Sequence, residues 1–312
     1  MPRIDARLPK GMRDFLPGEV LKREYVIGVI TDVFQTFGFE PIYTPALEML
    51  ETLLGKYGED ADKLLFYAHH PGGKEQLGLR YDLTVPLARY VAMHENELMM
   101  PFRRYHIAPV WRGDRPQKGR YREFVQCDVD IVGVASMAAD AEIVSLLTTA
   151  LGRLGFADFT VHINNRKLLT GIGIYAGVPQ AQLGDLYRSV DKLDKIGLDG
   201  VQKELAASGI AGEAIGRMMA LLQHREGGLD ALSQVRVQLA GVPVALEGIG
   251  ELEQMVEFLG ALGVPESRFT VDLAMVRGLG YYTGPVYETY ITKPDNLGSV
   301  TGYTYEGIFK LD

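Results

Sequence analysis

Cysteine is almost absent. Of 312 residues only Cys127 carries a thiol, which excludes an internal disulfide framework and any cysteine-rich zinc site and fits a reducing compartment. Long apolar runs are missing as well. None approaches the roughly 20 residues that a membrane-crossing helix needs, and the N-terminal MPRIDARLPKG lacks the apolar core of a signal peptide. A cytoplasmic protein without a membrane partner is expected. An excess of positive charge is lacking too: 32 Lys and Arg stand against 40 Asp and Glu, a net charge of −8. That excludes a protein coating nucleic acid through its overall field, and leaves room for a local basic site. Neither GxxxxGK[ST] nor GxGxxG occurs, so any phosphate must be held by another device. The one close histidine pair, His69 and His70, falls in the turn HHPGGK without a third ligand; it reads as a surface turn, and no dedicated metal site is expected.

What is present suffices for a sizeable core, with 47% hydrophobic residues. Residues 19–37 have helical spacing and end before Gly38, a helix stop. EPIYTPALE follows as a short strand broken by Pro41 and Pro45, which suits a sheet edge or an interface. A further helical stretch leads to LLFYAHHPGGKEQLGLRYDLT, a hairpin, and LTVPLARYVAMHENEL returns to helix with Pro86 near its first turn. DAEIVSLLTTALGRLG is a helix with acids at its start and an arginine near its end, as the helix dipole favours. FADFTVHIN is a strand. Residues 166–253 are mostly short helices punctuated by glycine, and strands return from Arg268: RFTVDLAMV, the turn RGLG, YYTGPVYETYIT and GSVTGYTYEGIF. The order predicts an α+β fold, a mainly antiparallel sheet flanked by helices with an inserted helical subdomain. The predicted domains are a first part of the main domain over 1–165, the insertion over 166–253 and a second part of the main domain over 254–312.

The stretch 101–133 concentrates charge between apolar runs: strands YHIAPVW and REFVQCDVDIV flank the basic loop RGDRPQKGR. In the second strand Phe124, Gln126, Asp128 and Asp130 share one face, and Val125, Cys127, Val129 and Ile131 the other. A face of acids and an amide beside a loop of arginines suits a ligand with an ammonium at one end and a phosphate at the other. A solvated hairpin would show the same alternation.

Together, PIYTPALE, VWRGDRPQKGRYREFVQCDVDIVG and RGLGYYTG, with LRYDLT before them, closely resemble the segments of histidyl-tRNA synthetase, a class II aminoacyl-tRNA synthetase. The resemblance runs from KGMRDFLP at residue 10 to the strand near 300. It implies an enzyme that activates histidine with ATP and Mg2+ as histidyl adenylate, then passes the histidyl group to tRNA. It also implies a homodimer with Pro45 near the interface. By that resemblance Arg112 and Arg277 are the catalytic residues: Arg112 grips the α-phosphate, and Arg277 bridges that phosphate and the histidine carboxylate. Asp114 lies near the adenine amino group and Arg120 meets the distal phosphates. Asp82, Thr84 and Gln126 receive the α-ammonium, while Asp130 and Tyr282, with Tyr281 beside it, recognise the imidazole. Bidentate guanidinium groups suit phosphate and carboxylate, and a site that bonds both ring nitrogens rejects analogues lacking either.

Two departures from the family's pattern stand out. Gly280 occupies a usually acidic position. GSVTGYTYEGIFKLD keeps Tyr305 and Gly307 in register but lacks the glycine cluster with its arginine, the third class II motif and an anticodon-binding domain. On this reading adenylate formation is expected to be weak. The alternative is a non-catalytic relative, the histidine-sensing regulatory subunit of ATP phosphoribosyltransferase, which the retained Arg112, Arg115, Arg120 and Arg277 disfavour. A bare tRNA-binding module fits the acidic charge least.

Overall fold

The computed structural model describes residues 5–55, 64–117, 119–222, 228–276 and 283–293. They fall into two compact units, divided between Val134 and Ala135.

The first unit opens with helix α1 (Pro17–Thr36). Pro17 sits in the first turn, and the Glu19 carboxylate accepts a hydrogen bond from the Leu16 N–H. The helix stops at Gly38, whose φ of 79° is the left-handed conformation that glycine adopts without a side-chain clash. Strand β1 (Glu40–Pro41) is a two-residue edge running parallel to β5 (Phe102–Trp111), which pairs antiparallel with β6 (Glu123–Val132). The proline-broken strand is thus an edge, as its sequence suggests. Strands β2 (Leu47–Met49), β3 (Phe66–Ala68) and β4 (Leu77–Leu79) form a second, antiparallel sheet in the order β2-β4-β3. The five-residue helix α2 (Leu50–Leu54) follows β2, and helix α3 (Thr84–Met93) follows β4.

The β5–β6 hairpin reverses the usual relation between polarity and burial. Its odd-numbered face meets α1: the Phe34 and Tyr105 rings lie 5.5 Å apart, Gln35 Nε2 donates to the Tyr105 hydroxyl, and Arg103 Nη2 donates to the Phe37 carbonyl. Its even-numbered face, which carries the acids, is the more deeply buried. Phe102 packs at one end with Ile42 and Leu87, and Ala108 and Val110 pack at the other with Leu83 and Phe124. Arg104, His106, Gln126, Asp128 and Asp130 are buried between those apolar ends.

The second unit contains helix α4 (Met137–Arg153), capped by the Ser136 hydroxyl, and strand β7 (Asp158–Asn165). Six helices follow: α5 (Arg166–Ala176), α6 (Leu183–Val190), α7 (Leu193–Ala207), α8 (Gly212–Leu222), α9 (Gly228–Gln238) and α10 (Pro243–Ala261). Helix α10 packs on α4, α5 and β7. Small residues allow the approach to α5: a Cβ added at Gly171 would stand 2.3 Å from the Ala245 Cβ, and one at Gly248 would stand 2.6 Å from the Leu168 nitrogen.

Strands β8 (Phe269–Val271) and β9 (Pro285–Lys293) flank β7 in the order β8-β7-β9. The described strands on either side of RGLG, read as consecutive members of the antiparallel sheet, therefore do not pair with each other. β8 runs parallel to β7 and β9 antiparallel to it. Reaching β8 from β7 requires the long helical crossover through α5 to α10, and such a crossover returns a strand parallel to the one it left. Four of the six strand pairings among the described residues are antiparallel, so the mainly antiparallel α+β class stands. No helix among the described residues is long and apolar enough to cross a membrane.

Candidate active site

Backbone pairing brings two of the predicted segments together. The Trp111 N–H donates to the Arg80 carbonyl, and Arg112 Nε donates to the Tyr81 carbonyl at 3.0 Å. Residues 80–83 therefore run beside the end of β5, and Arg112 is tied to the residue before Asp82. Phe124 supports the Arg112 guanidinium from 5.1 Å, a cation–π contact. The Arg112 N–H donates to the Arg122 carbonyl, and Arg122 in turn binds the Asp114 carbonyl through Nε and the Gly11 carbonyl through its own N–H. The KGMRD segment thus braces the base of the arginine loop. Arg120 is exposed on that loop, where its backbone forms an isolated bridge with Gln117.

Asp82 is 1% exposed, and its Oδ1 accepts from the Val85 N–H at 3.1 Å, so this carboxylate caps α3. Thr84 begins that helix. Gln126 and Asp130 both lie on the buried even-numbered face, and the Gln126 Oε1 has no hydrogen-bond partner there. The structure therefore places Asp82, Thr84, Arg112, Asp114, Arg120, Gln126 and Asp130 in one unit. Arg277, Tyr281 and Tyr282, with Gly280, Tyr305 and Gly307, lie outside the described residues.

Three further residues belong to this neighbourhood and were not among the predicted set. Arg104, fully buried, stands opposite Asp130 in the strand register and forms an ion pair with it. His106 stands opposite Asp128, is 1% exposed, and has no hydrogen bond at either ring nitrogen. Burial, and then the positive charges of Arg80 and Arg104, lower its pKa to about 3, so it is neutral near pH 7. The Tyr43 ring meets it edge-on, with centroids 5.8 Å apart. Arg80, 4% exposed, donates to the Pro109, Thr44 and Pro45 carbonyls, tying the proline-rich edge to β5. Burial pushes the Arg80 pKa below the usual arginine value, partly offset by Glu48. Arg104 and His106 were legible in principle. His106 already falls within YHIAPVW on the face that meets Asp128, and starting β5 three residues earlier adds Arg104 opposite Asp130. Cys127 packs on the opposite face of β6, where burial pushes its thiol up to about 12, as expected of an unreactive thiol. Among the described residues no group of three or more His, Cys, Asp or Glu is arranged to hold a metal ion.

The fold matches a crystal structure of histidyl-tRNA synthetase from Nostoc sp. PCC 7120 with a TM-score of 0.84 and 35% identity, covering 95% of this chain and 67% of that one. It also matches, at TM-score 0.80 and 26% identity, a structure described as an ATP phosphoribosyltransferase regulatory subunit/histidyl-tRNA synthetase from Bacillus halodurans, covering 94% of this chain and 74% of that one. An antiparallel hairpin that brings an arginine loop beside a buried carboxylate face, set in this architecture, is the class II aminoacyl-tRNA synthetase catalytic fold. At the level of sequence, the family model described as Histidyl-tRNA synthetase matches residues 11–309. A histidine–tRNA ligase of Bacteroides fragilis is 43% identical over 95% of this chain and 69% of its own length. One of Korarchaeum cryptofilum is 46% identical over 95% of this chain and 67% of its own length. The chain belongs to the histidyl-tRNA synthetase family.

Proposed function

We propose that the chain is the catalytic core of a histidine–tRNA ligase, joining histidine to ATP as histidyl adenylate and transferring the histidyl group to the acceptor end of tRNA. The observation that carries this reading is the buried polar face of β5–β6 beside Arg112. Gln126 Oε1 and both nitrogens of His106 are enclosed without hydrogen-bond partners. Buried polar atoms are paired in nearly all native structures, so unpaired ones in one patch suit a polar ligand.

In this reading the chemistry is positioning and charge neutralisation. The histidine carboxylate attacks the α-phosphorus and pyrophosphate leaves, so two anions must be held in line while charge builds at phosphorus. Arg112 holds the α-phosphate, Arg277 bridges it to the carboxylate, Asp114 receives the adenine amino group and Arg120 meets the distal phosphates. Mg2+ arrives with ATP as part of the substrate. Asp82, Thr84 and Gln126 take the α-ammonium, and Asp130 and Tyr282, with Tyr281, take the imidazole. The helical stretch 166–253 is an insertion between two catalytic parts, 1–165 and 254–312. The enzyme works in the cytoplasm.

Histidine-dependent exchange of pyrophosphate into ATP, measured together with calorimetric histidine binding, tests the proposal. Both are expected. A chain that shows neither exchange nor specific histidine binding would sink it, and histidine binding without ATP binding would favour a regulatory subunit, the other activity named for the Bacillus halodurans protein. The same reading makes the protein a homodimer joined near Pro45. Sedimentation at micromolar concentration is expected to give the dimer mass, and a monomer there would count against it.

A further inference from the structure

Arg104 carries a charge and a degree of burial that the proposed chemistry does not use. Its guanidinium is 0% exposed and in ion-pair contact with Asp130. That contact lacks the alignment of a hydrogen bond, and Nε, Nη1 and Nη2 all lack hydrogen-bond partners. A buried ion whose hydrogen bonds are unmade is a poor structural strut. Well-packed apolar residues of similar volume commonly replace buried ion pairs at no loss, or with a gain of roughly 1–4 kcal/mol. The same face shows such residues on either side, with Phe102 at one end and Ala108 and Val110 at the other. Stability therefore does not account for an arginine at this position.

Charge does account for it. The even-numbered positions of the hairpin hold two carboxylates, Asp128 and Asp130, and the potential cations Arg104 and His106. His106 is neutral, so Arg104 supplies the positive charge of this face. Among the described residues, Arg80 and Asp82, from residues 80–83, and Tyr43 against His106 also lie alongside. An imidazole N–H needs an acceptor. A buried carboxylate without a counter-charge tends to take up a proton and turn into a donor.

We propose that Arg104 is a positioning residue for histidine recognition, its buried charge holding Asp130 as an anionic acceptor for the imidazole N–H. The inference rests on the assignment of Asp130 to the imidazole. Its test is calorimetric binding of L-histidine and, separately, of ATP to the full chain. Arg104→Met is expected to weaken histidine binding about tenfold or more while ATP binding changes by less than about twofold. Arg104→Lys, which keeps the charge, is expected to recover most of the loss. Should Arg104→Met fail to fold, Arg104→Gln, of similar length but uncharged, carries the same expectation. A folded Arg104→Met or Arg104→Gln protein that binds histidine within about twofold of the parent, or that loses both ligands in parallel, overturns the proposal. Asp130→Asn separates the two levels. If it leaves histidine affinity unchanged, the Asp130 assignment fails and this inference with it; if it weakens histidine while Arg104→Met does not, the positioning role alone fails.

Discussion

His106 shows at the scale of one residue what the buried face costs. A neutral imidazole enclosed without a hydrogen bond forgoes the partners that water would give it in the unfolded chain. Its folded pKa of about 3 lies below the ordinary value of 6.5, so between those values the unfolded chain binds a proton that the folded chain does not. Stability from this residue is complete above pH 6.5 and is lost as pH falls toward 3, at up to about 1.4 kcal/mol per pH unit. Urea unfolding at pH 7, 6 and 5 is expected to show the decline, and His106→Gln to flatten it. An unchanged slope in that variant would assign the acid sensitivity elsewhere.

Among the elements, helix α3 shares a residue with the proposed site. Asp82 caps its first turn through the Val85 N–H, and in the proposed chemistry the same side chain receives the substrate ammonium. The two roles separate by substitution. Asp82→Asn keeps a capping oxygen and removes the charge, so unfolding free energy is expected to stay within about 0.5 kcal/mol of the parent while histidine affinity falls. Asp82→Ala is expected to lose both, with about 1 kcal/mol of stability from the cap. Denaturant melts run beside calorimetry read the difference, and an Asp82→Asn protein that binds histidine as well as the parent would remove Asp82 from the site. Much at this scale was legible in sequence. Alternation in REFVQCDVDIV gave β6 its two faces, Gly38 marked the end of α1, and Pro41 placed β1 at an edge. Two features were not. A period of two says that the faces differ and is silent on which one is covered, so the acid-bearing face could pass for the solvated one. The direction of β8 depends on the crossover through α5 to α10, which no local pattern in RFTVDLAMV encodes.

For the whole molecule, the first unit brings two sheets and the second one, each with helices of its own among the described residues, and every predicted site residue that the structure describes lies in the first. The segments proposed to carry chemistry stand out in the sequence because arginines suit phosphate and carboxylate, and acids suit ammonium and imidazole, at strand and loop positions. The supporting charge of Arg80 does not stand out in the same way, because it serves backbone carbonyls of this chain. Cys127 then acquires a use that has nothing to do with its chemistry in the cell. It is the chain's one thiol, it lies between Gln126 and Asp128 on β6, which carries part of the proposed site, and in the closed hairpin it is both shielded and protonated. A thiol reagent can reach it only when β6 opens, so the rate of labelling in native buffer is a clock for the local unfolding of that one strand, built in without any added probe.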